Sequence, residues 1–169
     1  RRYSWGHRTE PEAYAGNRCI DLPRGKRLGG SSSINGMIYV RGDRSDFDSW
    51  AALGAQGWSY DEVLPYFVRT QDQQSSDPAF QQDWHGRGGP LTANTLPHAH
   101  PISQAMVQAA CQAGLPHCTD FNNGHPDGAG LFQVNIKNGR RSSIARNAIE
   151  PAMRRSNLKV ELHALVTRI

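Results

Sequence analysis

The chain has 169 residues, 37% of them hydrophobic, and a formal net charge of +4. That length suffices for one ordinary domain with a packed core, and the composition argues against disorder. No apolar run is long enough to cross a bilayer, residues 1–10 lack the apolar segment of a secretory signal, and the basic residues are scattered without interleaved aromatics, which argues against nucleic-acid binding.

Cys19, Cys111 and Cys118 are an odd number and do not make a paired extracellular framework. A reducing, cytoplasmic compartment is expected, with peripheral membrane association of a longer parent left open. Cys111, Cys118, His117 and His125 have neither a Cys-x-x-Cys pair nor the spacing of a common zinc site, so no metal is expected.

Residues 1–22 have no sustained period and read as an irregular covering segment. Residues 23–41 follow, with Gly25, Gly29, Gly30 and Gly36 removing side chains around Ser31, Ser32 and Ser33. Ile34, Met37, Ile38 and Val40 then supply apolar groups. The expectation is a tight loop with outward backbone amides, opening a short buried segment. Ser45 is placed to cap a helix reaching about Leu53, with Gly54 as a left-handed stop. Ser59 and Glu62 have capping-box spacing for a second helix, Trp58 is placed to staple onto Val63, and Pro65 predicts that this helix is kinked or short.

Residues 71–89 are rich in Gln, Ser, Asp and Gly and read as an exposed loop. His85, with His98 and His100 nearby, reads as solvated. Residues 101–113 place Ile102, Ala105, Met106, Ala109 and Ala113 at helical spacing, with Gly114 as the C-terminal stop. Residues 120–130 predict a long structured loop, and residues 131–136 a strand with one polar face, followed by an Asn138-Gly139 turn. Ser142 or Ser143 can open another helix along Ile144, Ala148, Ile149 and Met153, bent by Pro151. Leu158, Val160 and Leu162 alternate with polar residues and predict a half-buried strand leading to Val166.

Familiar catalytic motifs fail on position. A P-loop needs Gly where Ile20 stands and Ser or Thr where Arg27 stands, and a hydrolase elbow around Ser31 needs Gly where Ser33 stands. Ser156 and Lys159 have Ser-x-x-Lys spacing without partner motifs.

What residues 25–48 do carry is Gly-Lys-x-Leu-Gly-Gly-Ser-Ser-x-Ile-Asn-x-x-x-Tyr-x-x-Gly with a following acidic residue. This resembles the flavin-contacting signature of the glucose-methanol-choline (GMC) oxidoreductases, above all their choline-dehydrogenase and alcohol-dehydrogenase branch. The resemblance continues through Asp46-Phe47-Asp48-x-Trp50, Gly57-Trp58-Ser59-Tyr60, Leu64-Pro65-Tyr66-Phe67, Gly89-Pro90-Leu91 and Asp120-Phe121-Asn122 to Val166, and so covers nearly the whole chain.

The resemblance implies an α+β or α/β fold: part of a Rossmann-like FAD-binding domain joined to part of an antiparallel-sheet substrate domain. Residues 1–70 would belong to the FAD-binding domain, 71–88 to a linker, 89–156 to the substrate domain, and 157–169 to a returning strand of the FAD-binding domain. It further implies that Arg27, Gly29, Gly30, Ser31, Asn35, Gly36, Met37, Ile38 and Val166 lie against FAD. Some relatives attach flavin through a histidine at the position of Ile34, so non-covalent FAD is expected here.

The implied reaction is oxidation of an alcohol, choline or a primary alcohol, to an aldehyde by hydride transfer to flavin, with the electron acceptor unassigned. The family's dinucleotide turn and catalytic histidine have no counterpart in these residues, and no catalytic residue is assigned. The chain reads as an internal fragment, inactive alone. The alternative is a non-catalytic binding or assembly module that uses the glycine loop for packing.

Overall fold

A computed structural model describes residues 2–80, 83–124 and 126–168, and the chain folds as two units, Arg1–Gly36 with Ser143–Ile169, and Met37–Ser142. In the first unit, β1 (His7–Arg8) pairs antiparallel with β2 (Asp21–Leu22), and Arg8 Nε meets Asp21 Oδ1 at 2.8 Å. The segment expected to be irregular is therefore a short ribbon. Its ladder is too brief to leave a periodic signal.

Near the other end of this unit, Ser143 opens a helical run: its carbonyl accepts from Asn147 N–H at 3.0 Å and its Oγ from Arg146 N–H at 3.4 Å. The run is a π turn at Ala145–Ile149 that passes into an α turn at Glu150–Ala152, with Glu150 N–H reaching back to Ala145 O. A proline removes one amide and crowds the carbonyl four residues earlier, and widening the turn before Pro151 relieves that conflict. No strand forms among described residues 158–168, and Leu162 is 58% exposed where half-burial was expected. Alternation marks a segment that could pair, but a strand exists only with a ladder partner.

In the second unit β3 (Ile38–Tyr39) leads into α1 (Arg44–Ala52). Asp43, and not Ser45, caps this helix: Asp43 Oδ1 accepts Ser45 N–H at 2.9 Å, and Asp46 Oδ2 accepts Asp43 N–H at 3.0 Å. The acidic pair makes the reciprocal box that a lone serine two residues further on cannot. Gly54, at φ 104°, ends the helix as expected.

Then α2 (Tyr60–Thr70) begins at the anticipated box, where the Ser59 N–H and hydroxyl both donate to Glu62 Oε2, at 3.0 and 2.6 Å. It runs its full 11 residues through Pro65, where the sequence predicted a kinked or short helix. The bond lost is to the Asp61 carbonyl in the first turn, beside water that can replace it. α1 and α2 close around Phe47, whose ring centroid lies 5.2 Å from Trp50, 6.0 Å from Tyr60 and 5.6 Å from Phe67. Burial pushes the Tyr60 phenol pKa up, against the opposing pull of the Arg41 and Arg44 cations.

β4 (Gln71–Gln73) leaves α2 directly and pairs in parallel with β5 (Leu91–Ala93). Gln71, Gln73, Thr92 and Ala93 are essentially inaccessible, so the expectation of an exposed loop over residues 71–89 is corrected at its start. His85 is also buried, and Phe80 with it. Polar composition signalled solvent, yet Gln71, Gln73 and His85 are buried and bond to one another.

α3 (Pro101–Gln112) starts at His100, whose Nδ1 accepts Ile102 N–H at 3.2 Å, and ends before Gly114 at φ 101°. The stripe of Ile102 and Met106 is not the face that packs. Ile102 and Met106 are 65% and 68% exposed, while Val107, Ala110 and Cys111 turn inward. A helical period defines a stripe but not which stripe finds a partner.

β6 (Gln133–Val134) pairs antiparallel with β3, and β7 (Ile136–Lys137) forms a hairpin with β8 (Arg140–Arg141). Asn138 and Gly139, at φ 51° and 69°, supply the two left-handed residues this turn requires. Both faces of the 131–136 segment are covered at its centre, where Gln133 and Val134 are both buried, while Phe132 is 41% exposed.

Asp72, beside β5, gives a pH-dependent contribution. Burial acts to raise its carboxyl pKa, but bonds from Lys137 Nζ at 2.8 Å, Gly88 N–H at 3.0 Å and the Gln74 amide at 2.8 Å hold it below the ordinary carboxylate value. A carboxyl lowered in the folded state adds stability above its unfolded pKa, about 3.9, and loses it as pH falls through the lower folded value. Asp72→Asn is therefore expected to flatten the acid limb of a plot of thermal midpoint against pH. Identical limbs for the two proteins would contradict this.

Candidate functional site

In the first unit, the chain before the glycine pair is tied to the N-terminal segment. Trp5 N–H donates to Arg24 O at 3.0 Å and Lys26 N–H to Tyr3 O at 2.8 Å. Lys26 Nζ lies 4.7 Å from the Trp5 ring centroid, and the exposed Arg27 guanidinium 5.0 Å from that of Tyr3. Gly29 and Gly30 then take φ 84° and 55°, which reverses the chain into a 3-10 turn at Gly30–Ser33. Ser33 Oγ donates to Leu28 O at 2.8 Å, Ser32 Oγ to Gly29 O at 2.6 Å, and Ile144 N–H donates to Ser32 Oγ at 3.1 Å. The serines act as staples.

Gly25 is required by close approach, because a Cβ there would fall on the Gly30 carbonyl. Its N–H donates to Ser31 Oγ at 3.1 Å. Ser31, Asn35 and Gly36 are exposed, and Gly29 and Gly30 half-buried. The expectation of outward amides is corrected at Gly25, whose N–H goes to the Ser31 hydroxyl, and at Gly30, Ser32, Ile34 and Asn35, whose N–H groups donate to carbonyls three or four residues back within the loop. Val166 lies in the C-terminal tail of this unit, 73% exposed.

The second unit opens on Met37, a non-glycine residue at φ 63°. Asn135 N–H holds its carbonyl at 2.7 Å, and the ladder follows with Ile38 opposite Val134 and Tyr39 opposite Gln133. Ile38 and Val40 are 53% and 48% exposed, against the expectation of a buried segment. Strand alternation gives the inside to Tyr39 and Arg41, leaving the aliphatic side chains outward.

Arg41 begins a buried polar network that sequence reasoning missed. Its guanidinium donates to Trp84 O at 2.7 Å and Gln71 Oε1 at 2.5 Å, and its backbone N–H donates to Asn122 Oδ1 at 2.8 Å. Arg41 Nε has no acceptor, though the guanidinium carbon lies 5.5 Å from the Phe67 ring centroid. His85 sits deeper: Nε2 is 2.7 Å from Asp120 Oδ2, and Nδ1 is 2.8 Å from Gln71 Nε2. Both the His85 and Asp120 side chains are 2% exposed, which overturns the solvated reading of His85. No local motif announces this pair; its partners are 14 and 35 residues away.

A separate cavity of about 550 Å³ beside α3 is walled by Phe80, Leu96, Val107, Cys111, Cys118 and Leu131, and no sequence-predicted site residue lines it. Burial raises the Cys118 thiol pKa, which disfavours the thiolate that nucleophilic or metal-binding chemistry needs. Among the described residues no group of three or more His, Cys, Asp or Glu side chains could hold a metal, and no helix is long and apolar enough to cross a membrane. His125 lies outside the described residues.

Comparison with known proteins places this architecture. The profile of the GMC oxidoreductase family matches residues 12–169. Oxygen-dependent choline dehydrogenase of Rhizobium johnstonii is 44% identical over 169 residues, covering 100% of this chain and 30% of that protein. Among solved structures, pyridoxine 4-oxidase from Mesorbium loti matches with a TM-score of 0.82 at 36% identity, over 91% of this chain and 30% of that one. An FAD-dependent oxidoreductase from Chaetomium thermophilum matches with a TM-score of 0.81 at 33% identity, over 89% of this chain and 28% of that one.

The class is thereby a mixed helix-and-sheet piece of an FAD-binding oxidoreductase fold. The chain belongs to the GMC oxidoreductase family. It spans about 30% of the length of the curated relatives it matches.

Proposed function

We propose that this chain is part of an FAD-dependent oxidoreductase that converts an alcohol, choline or a primary alcohol, to its aldehyde. Arg27, Gly29, Gly30, Ser31, Asn35, Gly36, Met37, Ile38 and Val166 are the residues that would hold the cofactor. The observation that carries this reading is the geometry of residues 25–38. Gly25 and Gly29 are glycine because side chains there would strike neighbouring atoms, Met37 accepts a left-handed backbone, and Ile38 is left exposed. A turn thin in side chains in the first unit and an exposed aliphatic group at the start of the second each suit a planar ring system held by main chain and apolar contact.

When bound, FAD supplies the chemistry of accepting a hydride from the carbinol carbon. The chain's own part is to bind and orient: backbone from Gly29 to Ser31 for close approach, and Met37 with Ile38 for the ring. No residue of the chain is assigned the removal of the hydroxyl proton. Residues 1–70 and 157–169 are proposed to serve the FAD-binding domain, and residues 89–156 the substrate domain.

The full-length protein is expected to purify yellow, with flavin absorbance near 450 nm that bleaches on adding choline or a primary alcohol without oxygen. A colourless protein that takes up no FAD would overturn the reading. Because Ile34 offers no nucleophile to the flavin, acid precipitation is expected to leave the flavin in the supernatant. Flavin retained in the pellet would show a covalent bond at some other residue.

A further inference from the structure

The buried network in the second unit forms a closed circuit that begins and ends on the segment following Met37. From Arg41 it runs through Gln71 and His85 to Asp120. Asp120 Oδ1 accepts Asn122 N–H at 2.9 Å, and Asn122 returns to the start: its Oδ1 accepts Arg41 N–H, and its Nδ2 lies 3.4 Å from Tyr39 O. A cross-link passes from Asn122 Nδ2 to Gln133 Oε1 at 3.3 Å and from Gln133 Nε2 to Gln73 Oε1 at 3.1 Å.

The donors of this circuit can point only one way. A guanidinium only donates and a carboxylate only accepts. Gln71 must therefore give its oxygen to Arg41 and its nitrogen to His85, so His85 accepts at Nδ1 and donates from Nε2 to Asp120. Gln73 Nε2, 3.2 Å from the same Nδ1, enforces the same tautomer. Reversing any member sets two donors or two acceptors face to face in a site closed to water, where each unmade bond is expensive.

Filling this volume needs only apolar side chains, so packing alone does not account for a directed chain of polar groups. What the circuit grips is specific. It fixes the Tyr39 carbonyl and the Arg41 amide, immediately after a Met37 backbone whose left-handed dihedral persists only if its surroundings impose it. We propose that Asp120 and His85, acting through Asn122, Gln71 and Arg41, are positioning residues that hold the Met37–Ile38 main chain in place against a bound flavin. The inference rests on the flavin reading above.

Asp120→Asn tests it in the full-length holoprotein. Both carboxylate oxygens accept from donors, so the new amide nitrogen must oppose either His85 Nε2–H or Asn122 N–H, and the conflict passes along the circuit to Arg41. The Kd for FAD is expected to rise about tenfold or more, the worth of a charge-assisted hydrogen bond. The visible circular dichroism of the remaining bound flavin is expected to change shape. Phe47→Leu, in the same unit but outside the circuit, is the control for simple destabilisation: a lower thermal midpoint with an unaltered flavin spectrum.

Asp120→Asn protein with wild-type FAD affinity and flavin dichroism would overturn the positioning role while leaving the flavin reading intact. A wild-type protein that binds no FAD would overturn both. Should Asp120→Asn not fold, amide hydrogen exchange on the wild-type holoprotein decides. The Arg41 and Asn122 amides are expected to be protected to the level of the Phe47 core, and exchange as fast as in open surface loops would refute a rigid circuit.

Discussion

Replacing Arg41 with leucine is expected to lower stability by about 3–5 kcal/mol, the range for removing one member of a buried charged network. Arg41 is 8% exposed, and its loss leaves Gln71 Oε1 and the Trp84 carbonyl without their donor. It also breaks the circuit that runs through Gln71 and His85 to the buried Asp120. Leucine fills part of the volume but satisfies none of these groups. Urea unfolding should show a lower midpoint with an unchanged slope, and Arg41→Lys should recover only part of the loss because an ammonium cannot span both acceptors as the guanidinium fork does. Equal midpoints for wild type and Arg41→Leu would mean that the relay contributes nothing to folding.

Gly25→Ala is expected to act on flavin binding. Its new Cβ would fall on the Gly30 carbonyl oxygen, with the Ser31 amide just beyond, so the peptide that turns the chain at Gly29 and Gly30 must swing away. Forced overpacking of this kind costs about 1–3 kcal/mol. The cost falls on a partly exposed loop outside the aromatic cluster of α1 and α2, so the fold should survive with its far-ultraviolet dichroism intact. The displaced main chain is the part proposed to approach the cofactor. Flavin occupancy after purification should therefore fall several-fold, equivalent to about 1 kcal/mol or more of binding free energy. Stoichiometric flavin in Gly25→Ala would separate this loop from cofactor binding.

The two substitutions probe different kinds of constraint. Arg41 is fixed by partners distant in sequence: Asn122 stands 81 residues away and Gln71 stands 30 away. Gly25 is fixed by Gly30 and Ser31, only a few residues on. The second kind of constraint leaves a signature in the local sequence, and the first does not.

That difference explains what was legible. The box at Ser59 and Glu62, the stops at Gly54 and Gly114 and the Asn138-Gly139 turn depend on atoms within about one turn of the chain, so residue type and spacing determined them, whereas the glycine loop was legible as a tight loop but is also tied to Tyr3, Trp5 and Ile144. The cap at Asp43 was missed, because the serine two residues later gave a competing signal that only the formed box resolves. Tertiary structure alone decided that Ile102 and Met106 face outward, that Ile38 and Val40 are exposed, and that Gln71, Gln73, His85 and Gln133 are interior. Burial belongs to the partner a face meets, and a polar side chain becomes an interior one only when another segment, tens of residues away, brings the matching donor or acceptor.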